Sequence, residues 1–202
     1  YRIVDKVDTS LESENNLVFV GLLGMIDPPR EEAKEAIDIC KAAGIQVKMI
    51  TGDHKITASA IGQQLGIVTE GTIEGREITE MTQEQLCECV KHTSVFARVS
   101  PEHKVRLVDA VRANGNIAAM TGDGVNDAPS LKHADIGVAM GITGSEVAKD
   151  AANMILMDDN FSTIVHAIII GRNVYEHLKN LIYYLLSGNF AGILCVLLAS
   201  LF

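Results

Sequence analysis

Basic charge is scarce in this sequence: 17 lysines and arginines stand against 26 aspartates and glutamates, a formal net charge of −9. With a pI near 5.1, there is no basic stripe to neutralise phosphates, which argues against nucleic acid as a partner. Cysteine is also sparse. Cys40, Cys87, Cys89 and Cys195 match no zinc or redox spacing, so free thiols in an intracellular setting are expected. Cys87-Glu88-Cys89 falls short of the roughly four ligands that structural zinc needs. No signal peptide opens the chain. Tyr1-Arg2-Ile3-Val4 reads as a cut inside a longer protein.

Charge of either sign is missing from Leu181 to Phe202. Twenty-two residues at 1.5 Å each span about 33 Å, against about 30 Å of hydrocarbon. A transmembrane helix over 181–202 is expected, with a buried core helix as the alternative. Arg172, His177 and Lys179 precede it, so its N-terminal end should face the cytoplasm. Tyr183 and Tyr184 sit where an aromatic belt would lie.

Ahead of that stretch, strands and helices alternate. Apolar runs at Leu17–Leu23, Ile45–Ile50, Ser94–Arg98, Ile117–Met120, Ala134–Met140 and Asn153–Met157 predict strands. Between them, Glu31–Ala43, Ile56–Leu65, Thr82–His92, a segment capped by Ser100 with Pro101 at its first position, and Ser145–Ala151 predict helices. Gly66–Glu80 is weakly patterned and predicts a loop. This alternation implies an α/β fold with a mostly parallel, doubly wound sheet, followed by a long α-helix from Phe161.

Thr121-Gly122-Asp123-Gly124-Val125-Asn126-Asp127-Ala128-Pro129 follows an apolar strand and precedes a helix start, the place where open α/β sheets build their sites. Two carboxylates, Asp123 and Asp127, and the Asn126 amide suit a hard cation such as Mg²⁺. Gly122 and Gly124 are expected to let the backbone bend tightly. Thr51-Gly52-Asp53 ends another strand, where phosphate commonly sits; a helix cap by Thr51 or Asp53 is the plainer alternative. Lys104 falls in the first turn of its helix, an unfavourable place for a cation. That suggests a phosphoryl or carboxylate partner, with a solvated lysine as the alternative.

The nine-residue string resembles the hinge motif of P-type cation-transporting ATPases, whose phosphorylation domain is haloacid-dehalogenase-like. Asp27-Pro28-Pro29-Arg30, Met49–His54, Phe96–Lys104, Gly141–Glu146 and Ile155–Phe161 stand in that family's order. The stretch from Gly141 to Phe161 is most similar to its calcium and sodium/potassium branch. The resemblance implies ATP and Mg²⁺ as cofactors and transfer of a phosphoryl group to an aspartate. It further implies Asp123 and Asp127 at Mg²⁺, Lys104 at the phosphoryl group, and Thr51, Gly52, Asp53, Arg98 and Asn126 at phosphate and nucleotide. Asn189 is implied at the transported cation, although Gly192 stands where calcium pumps usually carry a glutamate.

The domains implied are a nucleotide-binding-domain tail (1–16), the phosphorylation domain (17–160), a stalk helix (161–180) and a membrane helix (181–202). The family's Asp-Lys-Thr-Gly-Thr segment is absent; Asp5-Lys6-Val7-Asp8-Thr9 departs from it at the third position. The expected partners are therefore ATP, a cation, the bilayer and the remaining domains of the same pump. The chain alone is expected to be inactive. The alternatives are a sodium/potassium or other cation pump, a membrane-tethered phosphatase, or a non-catalytic remnant.

Overall fold

The computed structural model describes residues 19, 21, 28–67 and 71–201. The tail of residues 1–16 and most of the strand expected at Leu17–Leu23 lie outside the described residues, as do Asp27 and Phe202.

The chain runs α1 (Glu31–Ala42), β1 (Met49–Ile50), α2 (Lys55–Gln64), β2 (Thr72–Glu74), α3 (Gly75–Glu80), α4 (Gln83–His92) and β3 (Val95–Ala97). It continues with α5 (Pro101–Ala113), β4 (Ala119–Gly122), α6 (Ala128–His133), β5 (Ile136–Met140), α7 (Glu146–Ala151), β6 (Met154–Leu156) and α8 (Phe161–Leu201). Every described strand pairing is parallel, as the alternation predicts. The strands form two three-stranded ladders, in the orders β1-β3-β2 and β4-β5-β6.

Local signals set most helix ends. Thr82 and Ser100 each close a capping box, with Gln85 and His103 as the reciprocating partners. Such boxes satisfy two backbone donors that a helix start leaves open. Pro101 occupies the first turn of α5, where its missing N–H costs nothing. Helix α1 stops at Gly44, which has φ +76°. There the Gly44 N–H reaches the Lys41 carbonyl, and the Ile45 N–H reaches the Cys40 carbonyl, the two bonds of a Schellman ending.

Three expectations change. The segment expected to be a loop over Gly66–Glu80 holds β2 and α3. Strand β2 exists because it pairs with β3, Thr72 opposite Val95 and Glu74 opposite Ala97, a non-local partnership that local patterning does not carry. Helix α2 is capped by His54, whose Nδ1 accepts from the Ile56 N–H at 3.3 Å, and not by Thr51 or Asp53. Strand β1 is only two residues long; ahead of it Ile45 packs against the α1–α8 contact, and Val47 against that contact and the cluster that includes Val95 and Ala97 of β3.

Phe96, fully buried on β3, is the centre of an apolar cluster with Ile78, Leu86, Val90 and Leu107. The second ladder has its own cluster, with Met120, Leu131, Ala139 and Ala148. Helix α8 joins the body through its first turns, where Val165 is buried against Ala36 and Cys40 of α1. Beyond it Ala167 and Ile168 are still half-buried, and the Arg172 Nη2 donates to the Ala43 carbonyl at 3.1 Å. From Ile169 on the helix is exposed, and the most apolar 18 residues of its unbroken 41 have mean hydropathy 2.0.

Candidate functional site

A cavity of about 440 Å³ opens at the carboxyl ends of β1, β4 and β5. Ile50 of β1 and Met120 of β4 both line it, so it lies between the facing edges of the two ladders. Lys104, Thr121, Gly122, Asp123 and Asp127 line one wall; Met140, Thr143 and Asp159 line the other.

Asp127 sits just ahead of α6 and is only 7% exposed. Its Oδ1 accepts from the Lys104 Nζ at 2.5 Å, and its Oδ2 accepts from the Gly124 N–H at 3.2 Å. Lys104 therefore has the partner that its awkward place in the first turn of α5 suggested, and that partner is a carboxylate. Gly122 is required for closeness rather than for bending: a Cβ there would lie 2.4 Å from the Asp127 Cβ. Neither Gly122 nor Gly124 has a positive φ, so the expected tight bend is not what selects them.

Asp123 is exposed, and among the described residues no hydrogen bond or ion pair takes up its carboxylate. Its carbonyl accepts from the Ser145 N–H at 2.8 Å, which ties the two walls together.

Asp159 was missed as a lining residue. Its backbone is left-handed, with φ 50°. Oδ1 accepts from the N–H groups of Gly141 (2.7 Å) and Ile142 (3.0 Å). Oδ2 accepts from the N–H and the Oγ1 of Thr143, both at 2.8 Å. These bonds hold its carboxyl below the ordinary 3.8, at about 2, with the Ile142 N–H the largest cause. Thr121 and Thr143 were also missed. The available signal was position alone, since all three lie at or just past the carboxyl end of a strand.

The other expected residues divide. Thr51, Gly52, Asp53 and Arg98 come together at the ends of β1 and β3: the Arg98 N–H reaches the Asp53 carbonyl, and the Val99 N–H reaches the Thr51 carbonyl. Arg98 itself turns left-handed, with φ 49°, which ends its strand one residue early. This group adjoins the cavity through Ile50 without lining it. Asn126 is exposed on the 121–129 loop. Asn189 lies far along α8, about 42 Å from Phe161 at 1.5 Å per residue.

The charges decide what the cavity can take. Glu32, Asp123, Asp127 and Asp159 face only Arg30 and Lys104. A phosphoryl group would enter against an excess of carboxylates, and a divalent cation reverses that balance. The oxygen-only donor set of Asp123, Asp127 and Thr121 suits Mg²⁺ over softer metals. The residues present fit the ion.

A family model for haloacid dehalogenase-like hydrolases matches residues 3–135. The chain belongs to that family. Within it, the chain is 57% identical over 190 residues to a calcium-transporting ATPase of Bacillus cereus, covering 93% of itself and 21% of that protein. It is 48% identical over 187 residues to the human calcium-transporting ATPase type 2C member 1, covering 92% of itself and 20% of that protein. It is also similar to the solved structure of a zinc-transporting PIB-type ATPase, with TM-score 0.59 and 30% identity, covering 76% of this chain and 21% of that one. The chain thus spans about a fifth of the length of the curated relatives it matches. The haloacid dehalogenase-like body with parallel sheets and a long apolar C-terminal helix agrees with the architecture expected from the sequence.

Proposed function

We propose that this chain is the Mg²⁺- and phosphate-holding side of the phosphorylation domain of an ATP-driven cation pump, calcium being the cation its relatives favour. One observation carries the reading. Lys104 and Asp127 are paired at 2.5 Å beside the Asp123 carboxylate, which has no partner among the described residues, in a cavity at the strand ends.

In the proposed reaction, an aspartate supplied by another segment of the pump attacks the γ-phosphorus of ATP. The bond from that phosphorus to the β–γ bridging oxygen breaks, ADP departs with the electron pair, and an aspartyl phosphate forms. Water later cleaves it to phosphate and the free carboxylate. Bound Mg²⁺ would offset the negative charge spread over the phosphoryl oxygens. Asp123 and Asp127 would hold it. Lys104 places a positive charge at the same oxygens, and Asp127 fixes where that charge stands. A preset cation needs no reorganisation when charge develops, which is the larger part of such stabilisation. Thr51, Gly52, Asp53 and Arg98 hold the nucleotide from the neighbouring strand ends, with Asn126 reaching it from the loop.

Residues 17–160 would form the phosphorylation domain on the cytoplasmic side, 161–180 the stalk, and 181–202 the membrane span. Asn189 would contribute to the cation site. Calorimetric titration of Mg²⁺ into the chain tests the core of the reading: binding is expected, and Asp123→Asn should weaken it. No Mg²⁺ binding would overturn the assignment. Mg²⁺-dependent ATP turnover by the pure chain would show that the nucleophile is already within it.

A further inference from the structure

Asp159 is not needed to hold Mg²⁺ or phosphate: all four of its described side-chain bonds go to the 141–143 loop. Yet it stands where three structures meet. Its carboxylate grips the wall that Ser145 ties to the Asp123 carbonyl at 2.8 Å. Its own carbonyl accepts from the Arg30 Nη1 at 3.1 Å. The residues flanking it start α8. Asp158 accepts from the Asn160 N–H and the Thr163 Oγ1, and Asn160 accepts from the Ser162 N–H and Oγ. The apolar contacts of the α8 base, through Phe161 and Val165, go to α1 and its neighbours, and Phe161 also lines the cavity without a polar tie to Asp123. The short polar route from Asp123 to α8 therefore passes through Asp159.

We propose that Asp159 is a positioning residue that couples occupancy of the Asp123–Asp127 site to the first turns of α8. This rests on the reading of that site as an Mg²⁺ site. Asp159 touches no reacting atom; it transmits the position of the 141–145 loop to the helix. A single carboxylate accepting from three successive backbone N–H groups and a hydroxyl moves with that loop as one body. An amide in its place has one oxygen and would turn an NH₂ toward N–H donors. Asparagine tolerates a left-handed backbone nearly as well as any residue except glycine. Asp159→Asn therefore loosens the grip, since Oδ1 can still accept from Gly141 and Ile142 while the Thr143 N–H loses its acceptor, and leaves the turn.

The test is hydrogen exchange of the 202-residue chain in lipid nanodiscs, with and without Mg²⁺. In the unaltered chain, Mg²⁺ is expected to slow exchange at 121–127, at 141–145 and at 161–165, the last by about fivefold, the low end of ordinary coupling between sites. In Asp159→Asn, Mg²⁺ should still protect 121–127, with similar affinity, while the effect at 161–165 disappears. Thr143→Val, which removes one of the four bonds and keeps the backbone ones, should give an intermediate loss and serves if the first variant fails to fold. A merely structural role would raise exchange at 161–165 equally with and without Mg²⁺, and that result overturns the proposal. So does undiminished Mg²⁺ protection of 161–165 in both variants. Protection confined to 121–127 in the unaltered chain sinks the coupling alone; no Mg²⁺ effect anywhere sinks the site reading with it.

Discussion

The two walls of the cavity both present aspartates, and they use them in opposite ways. On the 121–127 wall, Asp123 has no partner for its carboxylate among the described residues, although Asp127 beside it accepts from Lys104 with Oδ1 and from the Gly124 N–H with Oδ2. On the 141–159 wall, Asp159 is saturated by four donors. A carboxylate in the first condition still attracts a cation; one in the second has little left to offer and serves as structure. Counting acids in a cavity thus overstates its capacity for metal. What matters is which carboxylates the protein has left unsatisfied.

Several changes would break or sharpen this contrast. The largest effect is expected at the most buried of the described ion pairs. Asp127→Ala leaves Lys104, whose side chain is 17% exposed, without its counter-charge, and should cost about 3 kcal/mol, read from chemical denaturation. Gly122→Ala comes next. Its new Cβ must push Asp127 away, at a cost of about 1–3 kcal/mol by the scale of overpacked sites, and Mg²⁺ affinity should fall with it. Asp123→Asn should leave folding almost unchanged while weakening Mg²⁺ binding at least about tenfold, the lower end even for outer-shell changes. Equal losses at Asp123 and Asp159 would erase the distinction between the walls.

The acid response is smaller. The folded carboxyl of Asp159 titrates near 2, below its ordinary 3.8. The stabilisation it gives is therefore full above 3.8, declines as pH falls toward 2, and is absent below. Amide protection at Gly141–Thr143 should follow that window, and Asp159→Asn should flatten it. Smallest of all, Glu146→Gln removes an exposed pair with Lys149 and should change stability by less than about 0.5 kcal/mol.

What could be read from the sequence was what neighbours decide. Ser145, expected as the first helical residue, is the cap of α7, whereas the caps at Thr82 and Ser100 depend on residues three positions away, so spacing reveals them. The 121–129 loop was visible for the same reason, since its acids and glycines are contiguous. Strand β2 was not, because Thr72–Glu74 becomes a strand only beside β3, more than twenty residues on. Asp159 was visible as an acid and invisible as a clamp, for its donors lie 16 to 18 residues earlier in the chain. The His54 cap was hidden by the better-known capping residues just before it, Thr51 and Asp53. Gly122 was noticed for the wrong reason: its value lies in the space it leaves for Asp127.

Helix α8 leaves the body at Phe161 and continues without interruption to Leu201, with no proline or irregular turn to absorb a bend. Such a rod is a lever. The body still holds it at Arg172, whose Nη2 donates to the Ala43 carbonyl at 3.1 Å, and Asn189 stands about 26 Å further along. A swing of about 5° there displaces that side chain by about 2 Å if the arm stays straight. A calcium–oxygen bond is about 2.4 Å long, so at the cation site proposed for Asn189 a rearrangement too slight to disturb the strands would be comparable with the length of one metal–oxygen bond.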